Sequence, residues 1–271
     1  MRTDELELDK VRSSVRGHYG KVAARGGGCG CGPTCCATTE EAIPKERSPD
    51  AMSQAIGYSA AATGSTPEGA NLGLGCGNPL AIASLKPGQT VLDLGSGAGF
   101  DAFLAARAVG PSGHVLGVDM TPEMVSKARQ NKAKGDYQNV DFRLGEIENL
   151  PIADGSVDVI ISNCVINLSP DKAQVFREAF RVLKPGGRLA ISDILATTAM
   201  PETVREDLEL FAGCVAGASL IAEVRNSLTR AGFADIRVEP KPQSKEFIRE
   251  WFPDRGIEDY VVSATIEAVK R

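Results

Sequence analysis

Histidine is almost absent from this chain of 271 residues, which contains only His18 and His114. Side chains that change charge near neutral pH are therefore scarce, and acid–base chemistry based on histidine is poorly supplied. His114 begins a predicted strand, where a structural role is expected. The sequence thus disfavours the many enzymes that rely on a histidine general base.

Long apolar runs are also missing. No stretch approaches the about 18 consecutive apolar residues of a membrane-spanning helix. The N-terminal residues MRTDELELDKVRSSVRG carry charges throughout and lack the apolar core of a secretion signal. We therefore expect a cytoplasmic protein with no membrane partner.

Charge of one sign is not concentrated anywhere. The 30 basic and 35 acidic residues leave a formal net charge of −5, and no block of like charges suggests a nucleic-acid or anionic-lipid surface. We expect no nucleic-acid partner and a small or neutral substrate.

Cysteine, in contrast, is well represented, with seven residues. Structural disulfides are rare in the reducing cytoplasm, so metal-binding, redox or nucleophilic roles become more probable. Four of the seven cysteines lie in a glycine-rich segment, Arg25 to Glu40, which is too poor in apolar side chains to fold alone and is predicted to be flexible.

The chain is long enough to bury a full α/β core in one main domain. We divide it into an N-terminal arm, residues 1–70, a ligand-binding core, residues 71–195, and a C-terminal part, residues 196–271, that completes the sheet and the substrate site. Residues 1 to about 20 are predicted to form a polar helix.

Strand and helix patterns alternate through the core, which predicts a doubly wound, Rossmann-like sheet of seven mostly parallel strands. Strands are predicted near 90–94, 114–119, 140–144, 157–162, 188–193, 235–239 and 261–268. Helices are predicted near 49–58, 80–85, 100–109, 122–134, 172–183, 201–219 and 223–231.

The most informative stretch is VLDLGSGAGFD, Val91 to Asp101, which indicates a buried strand, a glycine loop and the start of a helix. Glycine lets the backbone turn tightly against a nucleotide-type ligand. Asp119 ends the next predicted strand, at the distance where a carboxylate can accept hydrogen bonds from two ribose hydroxyls. Asp93 and Asp119 could also simply form caps or turns.

This D-x-G-x-G-x-G pattern resembles the S-adenosylmethionine (SAM) methyltransferases more than the dinucleotide dehydrogenases. The resemblance extends to LPIADGSVDVIISN, Leu150 to Asn163, and FRVLKPGGRLAISD, Phe180 to Asp193. It implies a class I SAM methyltransferase fold with SAM as cofactor. The residues expected to contact SAM lie at the ends of the first four strands and are Asp93, Gly95, Ser96, Gly97, Gly99, Asp119, Met120, Gly145, Glu146, Ile147 and Asn163.

A cysteine follows the fourth predicted strand, where many methyltransferases carry a proton-abstracting acid. SNCVINLSPDK (Ser162 to Lys172), LGCGNP (Leu74 to Pro79) and AGCVAGA (Ala212 to Ala218), together with CCATT in the glycine-rich segment, resemble the arsenite methyltransferases. One departure is visible, because some relatives have a glutamate just before the last thiol, whereas Gly213 precedes Cys214 here.

The resemblance implies that Cys164 and Cys214 hold trivalent arsenic directly and that Cys76 adds a third sulfur. Cys36 would act in a thiol relay that re-reduces the metalloid, with a thioredoxin or glutathione system as the outside reductant. Cys29, Cys31 and Cys35 receive no role.

The chemistry agrees with this assignment. Thiolate is the soft ligand that soft arsenic(III) prefers, and the lone pair of arsenic is already a nucleophile for a sulfonium methyl group. The protein would supply placement at about 3–3.5 Å rather than a base, and the positive sulfonium would favour thiolates. Each cysteine could instead be a small apolar filler of the core.

Three alternatives remain open from the sequence. The first is a methyltransferase for a small organic acceptor such as a quinone precursor, which predicts an acid or histidine near the methyl group. The second is a thiol-based metalloid-binding protein that retains the SAM fold without turnover. The third is a binder of SAM or another nucleotide that has no catalytic activity.

Overall fold

The computed structural model describes residues 2–25 and 48–271. Seven strands form a sheet in the order β3-β2-β1-β4-β5-β7-β6. Their bounds are β1 Thr90–Leu94, β2 His114–Asp119, β3 Val140–Leu144, β4 Val157–Asn163, β5 Leu183–Ala196, β6 Ala234–Lys241 and β7 Val261–Val269. Strands β1 to β5 pair in parallel, and β7 lies antiparallel between β5 and β6. The predicted doubly wound, mostly parallel sheet of seven strands is confirmed.

Helices cover both faces of this sheet. They are α1 Arg2–Arg25, α2 Pro49–Ala55, α3 Ala60–Thr63, α4 Leu80–Ala83, α5 Phe100–Val109, α6 Pro122–Lys134, α7 Lys172–Val182, α8 Glu202–Arg205, α9 Leu208–Ala212, α10 Ile221–Ala231 and α11 Lys245–Trp251. Neighbouring residues of β1 point to opposite faces, so Val91 packs in the layer under α5 and Leu92 packs in the layer under α7. This two-sided burial explains the near-continuous apolar run of the strand.

The predicted bounds are correct where the sequence gives sharp start and stop signals. Helix α6 begins at Pro122, which is favoured at the first helical position, and α7 ends at Val182 before the Pro-Gly-Gly turn. The single helix predicted over 201–219 is wrong. Asp207 caps a new helix by accepting from the N–H groups of Glu209 and Leu210, and that helix ends at Ala212.

Helix α1 lies along the carboxyl edge of the sheet and packs on α6 and α9. It is longer than the predicted 20 residues. Val15 is buried in the layer that contains the cysteines, and Val22 is buried against Met124 at the start of α6. Tyr19 donates a hydrogen bond of 3.1 Å to the carbonyl of Ala212 at the end of α9. The N-terminal helix thus covers the edge where a ligand is expected.

None of the helices in the described part of the chain combines the length and the hydrophobicity needed to cross a bilayer. Cys36, together with Cys29, Cys31 and Cys35, lies outside the described residues, as does most of the segment predicted to be flexible.

Candidate active site

The order of the strands reverses between β1 and β4, and the predicted site residues gather at the carboxyl ends of these strands. Open α/β sheets bind their ligands at such a point because the two neighbouring connections leave toward opposite faces and open a crevice. The Cys164 thiol, in the connection after β4, therefore lies beside the glycine loop of β1.

The glycine loop is fixed to the end of β2 by one carboxylate. Asp119 accepts hydrogen bonds from the N–H of Gly97 at 2.9 Å and from the N–H of Thr121 at 2.8 Å. Gly95 and Gly99 have positive φ angles, and a Cβ on Gly95 would overlap the side chain of Val165 after β4. Only glycine lets the loop approach the thiol-bearing connection so closely.

Two buried polar groups at this loop lack partners, which indicates a ligand. Asp93 is 3 % exposed, and its Oδ2 atom has no hydrogen-bond partner among the residues that the structure describes. The hydroxyl of Ser96 is likewise buried and without a partner there. SAM carries an ammonium and a sulfonium group as well as ribose hydroxyls, so these groups suit SAM.

Burial, followed by the charges of Asp101 and Asp119, raises the pKa of Asp93 well above its usual range. Burial likewise raises the pKa of Asp101 to about 6, against hydrogen bonds from Tyr58 and Asn163. A cationic ligand stabilises ionised carboxylates, and these two acids therefore favour a positively charged cofactor.

The residues after β2 and β3 complete this side of the crevice. Met120 packs partly buried against the layer of the cysteines, and the N–H of Gly145 donates to the carbonyl of Asp119 at 3.0 Å. Ile147 is buried in the core. Glu146 forms an ion pair of 3.5 Å with Arg12 of helix α1, a contact that the sequence did not reveal.

The three described cysteines converge although they come from separate segments. Cys76, Cys164 and Cys214 are 1 %, 8 % and 3 % exposed. The sulfur atoms of Cys76 and Cys164 lie within 4.8 Å of each other and of a carboxylate oxygen of Asp193. The thiol of Cys164 also interacts with that of Cys214, and the Cys214 thiol donates to the carbonyl of Cys164 at 2.7 Å. The structure therefore brings these three thiols close together.

Both Cys164 and Cys214 have a left-handed backbone conformation, with φ angles of +59° and +63°. This conformation costs a side-chain-bearing residue about 1–2 kcal/mol, so hydrogen bonds must hold it. The N–H of Cys164 donates to the carbonyl of Ser192 at 2.8 Å, and the carbonyl of Cys214 accepts from Asn167 at 3.2 Å. Strain held in this way at two thiols is typical of a functional site.

Asp193, in the C-terminal part of β5, organises the loop that carries Cys164. Its carboxylate accepts from the N–H groups of Ile166 and Ile194 and from the amide of Asn167, at 3.0, 2.8 and 3.0 Å. Burial raises the pKa of Asp193 to about 7 despite these hydrogen bonds. Asp193 and Asn167 were missed from the sequence, although Asp193 lies at a strand end of the predicted sheet.

The pKa values of all three thiols are raised. Burial is the main cause for Cys76. For Cys164 a hydrogen bond with Cys214 lowers the pKa, but the hydrogen bond with Cys76 and burial together outweigh it. For Cys214 the hydrogen bond with Cys164 and then burial raise the pKa. The surroundings of the three cysteines therefore favour the neutral thiols over the thiolates.

Gly213 stands immediately before Cys214. A Cβ at this position would lie 2.6 Å from the ring of Phe252, which is buried beside α11. The packing of the C-terminal region therefore leaves no room for a larger side chain before Cys214.

Fold, glycine loop and buried acids together define a SAM-dependent methyltransferase. The family model described as "Methyltransferase domain" matches residues 85–232 of this chain.

Comparison with curated proteins and solved structures gives the narrower family. An arsenite methyltransferase from Halobacterium salinarum is 52% identical over 98% of this chain and 68% of its own length. The crystal structure of an arsenic (III) S-adenosylmethionine methyltransferase from Chlamydomonas reinhardtii is 33% identical, with a TM-score of 0.61, over 85% of this chain and 75% of that one. The chain belongs to the arsenite methyltransferase family.

The similarity to some relatives covers only part of their length. The arsenite methyltransferase of Homo sapiens is 40% identical over 60% of this chain, and the aligned part is 46% of the human protein. The chain thus spans about half the length of this curated relative.

Proposed function

We propose that this chain transfers methyl groups from SAM to trivalent arsenic held by the thiols of Cys76, Cys164 and Cys214, and that it serves arsenic detoxification. The observation that carries the proposal is the convergence of these three buried thiols beside the glycine loop. Three sulfur donors match the softness of arsenic(III).

Binding of neutral arsenous acid suits neutral thiols. Three thiols replace three hydroxyls, and each thiol proton leaves with a hydroxyl as water, so no net charge forms in the buried cluster. The raised pKa values of the three thiols favour this exchange between neutral groups. The acid within reach of the cluster is Asp193, and it holds the loop of Cys164.

Bound SAM supplies the methyl group. In this proposal the thiols hold the arsenic and leave its lone pair directed toward the crevice above Gly95. Gly95 lies close to Val165, the residue after Cys164, so the glycine loop and the thiols are neighbours. Orientation of this kind replaces the need for a general base. Burial of the cluster excludes water from the reacting atoms.

Methyl transfer to the lone pair raises arsenic formally from the +3 to the +5 state. Two electrons must then return, and oxidation of two thiols to one disulfide supplies them. We propose Cys36 as a participant in this step, and a thioredoxin or glutathione system as the reductant that reopens the disulfide. Cys36 lies outside the described residues, so this assignment depends on the family resemblance.

The test is a purified reaction with arsenite, labelled SAM and a thiol reductant, with the arsenic species separated afterwards. We expect labelled methylarsenicals and one S-adenosylhomocysteine (SAH) for each methyl group transferred. Arsenite binding without product would instead support a metalloid-binding protein, and label found only in a quinone precursor would support the organic acceptor.

A further inference from the structure

The side-chain amide of Asn163, at the end of β4, touches both halves of the site. Its Oδ1 atom accepts the N–H of Cys76 at 3.0 Å, and its Nδ2 atom donates to the carbonyl of Gly77 at 2.8 Å. The amide therefore satisfies one backbone donor and one backbone acceptor on the two sides of the peptide unit between Cys76 and Gly77. Two contacts of this kind fix where the Cys76 thiol sits.

The loop is shaped to reach this amide. Gly75 has a φ angle of +117°, and a Cβ there would lie 2.7 Å from Nδ2 of Asn163. On the other side, the hydroxyl of Ser263 donates to the carbonyl of Cys76 at 2.7 Å. Cys76 is therefore fixed between β4 and β7, and the hydrogen bonds with Asn163 fix it on the cofactor side.

The same Nδ2 atom faces the cofactor half of the site. It lies 3.0 Å from the hydroxyl oxygen of Tyr58 and 3.4 Å from Oδ2 of Asp101. The Tyr58 hydroxyl in turn donates to Oδ1 of Asp101 at 2.6 Å. Asp101 lies in the first turn of α5, directly after the glycine loop.

These contacts form a directed chain from the cofactor loop to a thiol. Tyr58 donates to Asp101 and accepts from Asn163, and Asn163 then holds both sides of the Cys76 peptide. An amide is the side chain that can both accept and donate here. Tyr58 is 4 % exposed, so water does not readily replace these hydrogen bonds.

We propose that Asn163 is a positioning residue that couples occupancy of the SAM site to the placement of the Cys76 thiol, with Tyr58 linking it to Asp101. This inference rests on the proposed function only where its test measures arsenite binding. A cofactor that binds the Asp101 carboxylate competes with the hydrogen bonds that Tyr58 and Asn163 make to it. The Asn163 amide then shifts, and the Cys76 loop shifts with the amide. Coupling between two sites is reciprocal, so bound arsenic must also strengthen cofactor binding.

The variant Tyr58→Phe tests the link with one oxygen atom removed. The ring still packs on Phe100, with ring centroids 4.9 Å apart, so the fold should be retained. Tyr137→Phe is the matched control, because the hydroxyl of Tyr137 binds the carbonyl of Ser65 and its ring packs on Phe103, away from the thiols. Asn163→Asp keeps the acceptor for Cys76 but removes the donor amide.

The first readout is the arsenite dissociation constant measured by calorimetry with and without saturating SAH, which permits no turnover. We expect SAH to tighten arsenite binding by about fivefold or more in the unmodified chain and in Tyr137→Phe. In Tyr58→Phe and Asn163→Asp this ratio should fall to within about twofold of one. An unchanged ratio in both variants, or a ratio of one in the unmodified chain, overturns the coupling.

The second readout needs no arsenic. Alkylation of Cys76, mapped by mass spectrometry, should change in rate by about fivefold or more when SAH binds the unmodified chain, and this response should disappear in Tyr58→Phe. If arsenite does not bind but the alkylation response follows this pattern, the proposed function fails and the coupling stands. If SAH leaves the alkylation rate of Cys76 unchanged in the unmodified chain, the coupling itself is overturned.

Discussion

Replacement of Cys164 by serine abolishes arsenite methylation, with an expected loss of about three orders of magnitude or more, equivalent to about 4 kcal/mol. The Cys164 thiol interacts with both other thiols, so its loss removes the central ligand. A serine hydroxyl has nearly the same shape but is a hard donor that binds arsenic(III) poorly. The backbone contacts of residue 164 remain, so the fold and SAH binding should be retained.

The measurement is the rate of methylarsenical formation, together with SAH affinity by calorimetry. Cys29→Ser serves as the matched control, because it makes the same chemical change at a cysteine to which no role is assigned, and it should keep the original rate. If Cys164→Ser methylates arsenite at the original rate, Cys164 has no central role. If SAH affinity falls in parallel, the variant acts through the fold rather than through the arsenic.

Replacement of Asp119 by alanine weakens SAH binding by about 100-fold. Its carboxylate holds the N–H groups of Gly97 and Thr121, and hydrogen bonds to a charged acceptor contribute about 1.5–3 kcal/mol each. The ribose of the cofactor would be the third partner of this carboxylate. Loss of the side chain therefore frees the glycine loop and would also remove the contact expected with the ribose.

Calorimetric titration with SAH measures this effect. Asp119→Asn keeps one acceptor oxygen and should lose less affinity than Asp119→Ala. Asp141→Ala removes an exposed acid of β3 that pairs with Lys132 and His114 at the surface, and it should bind SAH as the unmodified chain does. Equal affinity in Asp119→Ala and the unmodified chain would remove Asp119 from the cofactor site.

The sequence predicts the sheet well because each strand carries its own signal. The bounds of β1 and β2 follow from apolar runs that end before a glycine or at an acid. The region after β5 was predicted less well. The apolar pattern over 201–219 has helical spacing, but the cap at Asp207 and the left-handed Cys214 divide it. The spacing of apolar residues does not show where the backbone leaves the helical conformation, because that depends on contacts with residues far away in the sequence.

The same limit separates the predicted site residues from the missed ones. Strand ends meet at one edge of a parallel sheet, so the placement of Cys164 beside the glycine loop of β1 follows from topology. Cys76 lies ahead of β1, and its position depends on hydrogen bonds to Asn163 and Ser263. Asn167, Tyr58 and Arg12 act through hydrogen bonds or ion pairs to residues far away in the sequence. Nothing in their immediate sequence indicates those partners, and only the folded structure reveals them.

Arsenic K-edge X-ray absorption of the protein with one equivalent of arsenite tests the central claim most directly, because it counts the atoms bound to arsenic. We expect three sulfur neighbours and no oxygen in the unmodified chain, and two sulfurs with one oxygen in Cys76→Ser. An arsenic that keeps its oxygen neighbours, or three sulfurs that persist in Cys76→Ser, Cys164→Ser and Cys214→Ser alike, would contradict arsenic binding by this thiol cluster.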